Sequence, residues 1–154
     1  MKGLRILVVI AAILALGTSL SANAQQASCK KHAGTWECNW QAFHVLLDKS
    51  RTLAVHNSNV DRFTGVQLKG LAKSLGKSVV EQNADLHFYI RPVDSQGFVM
   101  GPGDTAIAEL SVYSNASMTD PIWVEDYYGE PDRPWASSVH ALIERFQDRL
   151  KSTK

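Results

Sequence analysis

Three consecutive segments of this chain separate their apolar and polar side chains with a period of two, and this pattern constrains the fold most. The segments run from Ala84 to Arg91, from Thr105 to Tyr113 and from Ile122 to Tyr128. Successive side chains of a β-strand point to opposite faces of the sheet, so each segment is predicted to be a half-buried strand. Pro92 and the turn-rich residues between the segments predict an antiparallel meander.

Helical periodicity flanks this meander on both sides. Between residues 61 and 75 the apolar positions Val66 or Leu68, Leu71 and Leu75 recur at helical spacing. Gly76 follows directly and is a typical residue at the end of a helix. The last helix is predicted to begin near Trp135, after Pro134. Its apolar stripe consists of Trp135, Val139, Leu142, Phe146 and Leu150.

A further strand is predicted from Thr52 to His56, and residues 39–48 indicate a short helix or a packed arm. The main elements then follow the order strand, helix, three strands, helix. This order predicts an α+β domain with a mostly antiparallel four-stranded sheet and two helices on one face.

The first 24 residues have the organisation of a secretory signal peptide. Lys2 and Arg5 precede an apolar run over residues 6–16, and Ala22-Asn23-Ala24 supplies a cleavage site. The run is shorter than the roughly 20 residues that a membrane-spanning helix needs. We therefore expect cleavage after Ala24, a periplasmic or secreted protein, an N-terminal arm over residues 25–50, and a single domain over residues 51–154.

The charge of the mature chain indicates no nucleic-acid partner. Removing Lys2 and Arg5 from the 16 basic residues leaves 14, against 15 acidic residues, for a formal net charge of −1. Only Lys30 and Lys31 are adjacent, whereas nucleic-acid binders and polybasic membrane segments carry clustered basic residues.

Cys29 and Cys38 are the two cysteines, and in an exported chain they are predicted to form a disulfide. A rival interpretation attaches a lipid to Cys29 and anchors the protein to a membrane. Gln26 then stands where an aliphatic residue is expected, and Cys38 is left unpaired in an oxidising compartment. The sequence therefore favours the disulfide.

The face of the sheet away from the helices is a candidate partner surface, because aromatic and charged side chains alternate along it. The predicted residues are His87, Tyr89, Arg91, Glu109, Tyr113, Trp123 and Tyr127. The alternatives are an ordinary solvated face, or one covered by the arm through Trp36, Trp40 and Phe43. The segment from Trp123 to Trp135 suits glycan or peptide recognition, or packs the corner between sheet and helix.

The sequence predicts no catalytic, cofactor-binding or metal-binding residues. The five histidines lack the spacings that place two ligands on one metal ion. Asp85, His87 and Ser111 would make a hydrolytic triad only if the fold assembled them, and no nucleophile-elbow motif supports that. The glycines over residues 97–103 lack the context of a phosphate-binding loop and indicate a turn.

Residues 51–151 resemble an uncharacterised domain of bacterial envelope lipoproteins and related exported proteins. The resemblance depends on the stretches 51–55, 84–86, 109–113, 122–123 and 134–135, followed by the closing amphipathic helix. It implies a periplasmic or outer-membrane accessory protein without established catalytic residues. The simple cleaved signal and the cysteine-bearing segment depart from the lipoprotein pattern.

Together these observations predict an exported, non-catalytic accessory or binding module that contacts an envelope protein or a cell-wall component. An extracytoplasmic hydrolase and a small-ligand carrier are the alternatives, and the carrier requires a cavity.

Overall fold

The computed structural model describes residues 26–57, 62–93, 107–128 and 134–153. The predicted signal peptide, the glycine-containing turn over residues 97–103 and the start of the predicted strand at Thr105 lie outside these ranges.

Three helices and seven strands make up the described chain. The strands are β1 (Cys29–His32), β2 (Thr35–Cys38), β3 (Thr52–Asn57), β4 (Ser78–Val79), β5 (Leu86–Val93), β6 (Ile107–Tyr113) and β7 (Pro121–Tyr127). The helices are α1 (Trp40–Lys49), α2 (Arg62–Ser74) and α3 (Trp135–Ser152). Each predicted helix and strand segment within the described ranges is therefore present.

Five strands form one mixed sheet in the order β4-β3-β5-β6-β7, while β1 and β2 form a separate hairpin. Strand β3 is parallel to both β4 and β5, and the β5-β6 and β6-β7 pairs are antiparallel. A helix between two strands returns the chain to the end at which it started, which allows β3 to pair in parallel with the strands after α2.

The α+β class is confirmed, but the expected four-stranded and mostly antiparallel sheet differs from the structure in two details. The sheet has a fifth strand, β4, and β3 is parallel to both of its neighbours. Two residues, both exposed, make up β4. Such a short strand carries no alternation for a sequence pattern to reveal.

All three helices contribute to one hydrophobic core on one face of the sheet. Phe43 of α1 and Phe146 of α3 are fully buried there, next to Phe88 of β5. In α2 the buried positions are Thr64, Leu68, Leu71 and Ala72, whereas Val66 is 64% exposed. Of the two alternatives, Leu68 rather than Val66 therefore belongs to the buried stripe of α2. None of the helices in the described ranges is long and apolar enough to cross a membrane.

The N-terminal arm contains the hairpin β1-β2, which the predicted disulfide crosses. Cys29 and Cys38 are register partners, and their sulfur atoms are bonded. Ala33 and Gly34 connect the strands with φ angles of 47° and 86°. Positive φ at both central residues defines the two-residue turn that fits the right-handed twist of a hairpin.

Candidate functional site

The face of the sheet turned away from the helices, called the outer face below, carries five of the seven predicted surface residues. Register pairs place His87 opposite Tyr113 and Arg91 opposite Glu109, and Tyr89 lies between them opposite Ser111. Directly opposed residues of antiparallel strands point to the same face. The structure therefore brings His87, Tyr89, Arg91, Glu109 and Tyr113 together, as the alternation predicted.

Trp123 and Tyr127 lie on the opposite, helix-covered face. Trp123 pairs with Val112 and Tyr127 with Ala108, and both partners belong to the core. The Trp123 ring stacks on Phe43 with centroids 5.3 Å apart and lies 4.7 Å from the Trp40 ring. The alternation within β7 does not reveal which face is buried, because the acidic Glu125 lies on the same side as Trp123.

Glu125 points toward α3, where two arginines compensate its charge. Its Oε1 atom lies 3.2 Å from Arg145 Nε and 3.2 Å from Arg149 Nη2. The Arg149 guanidinium also lies over the rings of Trp40 and Trp123, at 5.6 and 5.5 Å. These paired charges allow an acidic residue to occupy the buried face of the sheet.

The outer face is largely buried at its centre. His87 is 6% exposed, Glu109 2% and Tyr113 5%. Trp36 of the hairpin donates its indole N–H to Glu109 Oε2 at 3.4 Å. The arm therefore covers this face through Trp36, one of the three residues considered for that role. The other two, Trp40 and Phe43, pack on the helix side.

Glu109 is the centre of a polar network that joins the hairpin to the sheet. Its Oε1 atom accepts hydrogen bonds from Arg91 Nε at 2.9 Å and from the Ser111 hydroxyl at 2.8 Å. Arg91 Nη2 lies 2.8 Å from the same oxygen. With Trp36 on Oε2, both carboxylate oxygens have donors, as a buried charge requires.

Asp126 lies directly opposite Glu109 on β7. Burial and the charge of Glu109 raise the pKa of Asp126 to about 6, with a smaller contribution from Glu125, against the opposing effect of Lys31 and Arg91. Two neighbouring carboxyl groups oppose simultaneous ionisation, and burial adds to the cost.

The imagined triad of Asp85, His87 and Ser111 is not assembled. Asp85 Oδ2 accepts the backbone N–H groups of Arg51 at 2.7 Å and Thr52 at 2.9 Å, and these bonds lower its pKa. Ser111 donates to Glu109, as described above. The ring of His87 contacts His56, its Nδ1 lying 3.0 Å from His56 Nε2. Each member therefore has a different partner.

A groove of about 530 Å³ runs between the hairpin, β7 and α3, and we call it the hairpin groove. Its lining residues are Thr35, Trp36, Glu37, Cys38, Trp123, Val124, Glu125, Asp126, Tyr128, Arg145 and Arg149. They include both faces of β7, which is the last strand of the sheet. The groove therefore follows the edge of β7.

Four buried side-chain nitrogen and oxygen atoms of the described residues have no hydrogen-bond partner, and all four belong to residues that line this groove. They are Trp123 Nε1, Arg149 Nε, Glu125 Oε2 and Asp126 Oδ1. Buried polar groups in folded proteins nearly always have a hydrogen-bond partner. Four unpartnered atoms around one groove therefore mark the groove as a candidate binding site.

The sequence singled out the segment from Trp123 to Trp135, of which Trp123 to Asp126 and Tyr128 line the groove, but it assigned no role to Arg145 and Arg149. Both arginines flank the apolar stripe of α3, where a charged residue is ordinarily solvated. Their approach to β7 depends on packing between elements distant in sequence, which periodicity does not encode.

No family model, curated protein or solved structure matches this chain.

Proposed function

We propose that this chain is an exported, non-catalytic binding module that holds part of an envelope protein or of a cell-wall polymer in the hairpin groove. The observation that carries the proposal is the concentration of four unpartnered buried polar atoms around one groove. Its volume of about 530 Å³ lies within the range of ligand sites in proteins.

The four atoms favour a neutral, polar ligand. Trp123 Nε1 and Arg149 Nε are donors, whereas Glu125 Oε2 and Asp126 Oδ1 act as acceptors when their carboxyl groups are ionised. Two donors and two acceptors complement the amide groups of an extended peptide or the hydroxyl groups of a glycan. The atoms are covered in the structure, so contact with a ligand requires the partly exposed arginines of the groove to move.

The rim of the groove has the composition of a binding surface. Tyr128 is 67% exposed, and the side chains of Arg145 and Arg149 are 54% and 39% exposed. Tyrosine, tryptophan and arginine are enriched where proteins bind partners. An exposed tyrosine also offers a flat surface for a sugar ring or a peptide side chain.

An envelope setting agrees with the other properties of the chain. The disulfide requires an oxidising compartment, and the sequence of residues 1–24 resembles a cleaved signal peptide. The resemblance to exported envelope domains supports the same setting. The separate partners of Asp85, His87 and Ser111 favour binding over hydrolysis.

Site-specific photo-crosslinking in the native envelope tests the proposal. A photoreactive amino acid replaces Tyr128 in one strain and Val66, 64% exposed on α2, in the control strain. We expect adducts with a protein or with cell-wall fragments at position 128 and none at position 66. Arg145→Ala should reduce the yield at position 128 severalfold, because it removes one side of the groove.

Identical adducts at both positions, or none at position 128, would reject the hairpin groove as a binding site. Trp123→Ala is unsuitable as a test, because Trp123 stacks on Phe43 within the core. Hydrolysis of ester or glycan substrates by the purified mature protein, lost in His87→Ala, would instead support the hydrolase.

A further inference from the structure

Two histidines from neighbouring parallel strands meet on the outer face. His56 lies on β3 and His87 on β5, and the register pairs them diagonally, with His56 opposite Tyr89 and His87 opposite Ala54. Their nitrogen atoms, Nε2 of His56 and Nδ1 of His87, are 3.0 Å apart. The ring centroids are 5.3 Å apart with 24° between the planes.

This separation matches the spacing of two nitrogen ligands on one metal ion. With metal–nitrogen bonds of about 2.0–2.1 Å, two nitrogens are roughly 3.3 Å apart at a tetrahedral ion and roughly 2.9 Å apart at a square-planar one. The observed distance lies between the two values. Rotation of the two side chains would turn both lone pairs toward a shared ion.

Both imidazoles are prepared to act as ligands at neutral pH. Burial lowers the pKa of both rings, and the neighbouring His87 lowers the pKa of His56 further. Histidine binds a metal ion as a neutral imidazole. The lowered pKa favours that form, so neither ring has to be deprotonated from imidazolium first. Whichever of the two nitrogens donates the hydrogen bond, its ring must change tautomer on metal binding, so that the proton is carried by the far nitrogen of the same ring.

The surroundings tolerate an added positive charge. Arg91, two positions beyond Tyr89 on β5, is paired with Glu109 at 2.8 Å. Tyr89 and Tyr113 flank the two histidines in register. His56 is partly exposed, which leaves an approach from solvent.

We propose that His56 and His87 form a two-imidazole binding site for a divalent transition-metal ion, Cu²⁺ ahead of Zn²⁺, with water completing the coordination. Imidazole suits both ions, and copper binds nitrogen ligands more tightly. The described residues hold no group of three or more histidine, cysteine, aspartate or glutamate side chains placed around an ion. The site therefore consists of these two rings and solvent.

Titration of the oxidised mature protein with Cu²⁺, followed by electron paramagnetic resonance, tests this site. We expect one tightly bound ion per chain with hyperfine structure from two imidazole nitrogens. His56→Ala should weaken binding about tenfold or more and leave at most one of these nitrogens. Because His56 is partly exposed, this variant is expected to keep its fold, as circular dichroism would verify.

His140→Ala is the matched control, since His140 is exposed on α3 beside Glu144. It should bind copper as the unaltered protein does. Copper binding that His56→Ala leaves unchanged, or a spectrum without two imidazole nitrogens, would overturn the proposal. Neither outcome depends on the hairpin groove, because no residue of the histidine pair lines it.

Discussion

Asp126 shows how one side chain couples the hairpin groove to pH. It lies directly opposite Glu109 on the neighbouring strand, and its buried Oδ1 atom has no hydrogen-bond partner. Its raised pKa means that the folded protein binds a proton here more readily than the unfolded chain. The cost of ionising Asp126 is therefore present above about pH 6 and disappears as the pH falls toward 3.8.

Asp126→Asn should consequently stabilise the protein only at higher pH. We expect the free energy of unfolding to increase by about 1 kcal/mol at pH 8, after allowance for solvent screening of this partly exposed group, and to change little at pH 4. Urea unfolding at both pH values measures this difference. Asp120→Asn, at an exposed position, should show no such pH dependence; an equal gain at pH 4 and pH 8 would contradict our account.

Two of the exposed glycines, Gly34 and Gly70, permit a comparison between a turn and a helix. Gly34 has a φ angle of 86° in the hairpin turn, whereas Gly70 lies within α2. A Cβ atom added at either position would meet no atom within 4 Å, so steric crowding contributes to neither substitution. Only the backbone conformation distinguishes the two sites.

The same substitution should therefore have opposite effects at the two positions. Gly34→Ala is expected to lower the free energy of unfolding by about 1 kcal/mol, because an L-residue is strained at positive φ. Gly70→Ala should raise it by about 0.5–1 kcal/mol, because alanine favours helix. Thermal unfolding of both variants provides the measurement, and changes of the same sign would disprove the conformational explanation.

At the scale of elements, α1 is attached to the sheet by an aromatic cluster. Phe43 is fully buried, stacks on Trp123 and lies 6.1 Å from the ring of Phe146. The predicted helical spacing of Trp40, Phe43 and Leu47 is confirmed, and Phe43 and Leu47 are its buried positions. An arm segment thus becomes part of the core.

Phe43→Ala should destabilise the whole protein, since a large cavity would remain between α1, α3 and β7. We expect a loss of about 3–4 kcal/mol in urea unfolding, the usual range for a buried phenylalanine. Val45→Ala, at a position 50% exposed on the same helix, should cost less than about 0.5 kcal/mol. Similar losses in the two variants would show that α1 is not anchored through its aromatic face.

The sequence predicted local elements well and their arrangement less well, for a physical reason. The stripe from Val139 to Leu150 and the alternation in β5 depend on neighbouring residues, and both are confirmed. The parallel pairing of β3, the meeting of His56 with His87 and the buried face of β7 depend on long-range register. Register is set by packing between elements, which a pattern within one segment does not report.

At the scale of the whole molecule, the disulfide and the predicted signal peptide together define the expected mature form. We predict that the exported protein begins at Gln25 and is lighter by two hydrogen atoms until it is reduced. Intact mass spectrometry before and after reduction and alkylation measures both properties. A mass beginning at Cys29 with attached acyl chains would contradict them and would establish a membrane-anchored lipoprotein.

The position of the hairpin also indicates the order in which the parts of the chain fold. Cys38 Sγ lies 4.0 Å from the carbonyl oxygen of Val124, although 86 residues separate them in sequence. The pairing of β1 with β2 is local, so the hairpin can close its disulfide soon after both cysteines appear, whereas β7 is synthesised much later. The first structured part of this protein is thus expected to be the last to reach its place, so the hairpin groove is completed only when the C-terminal half has folded.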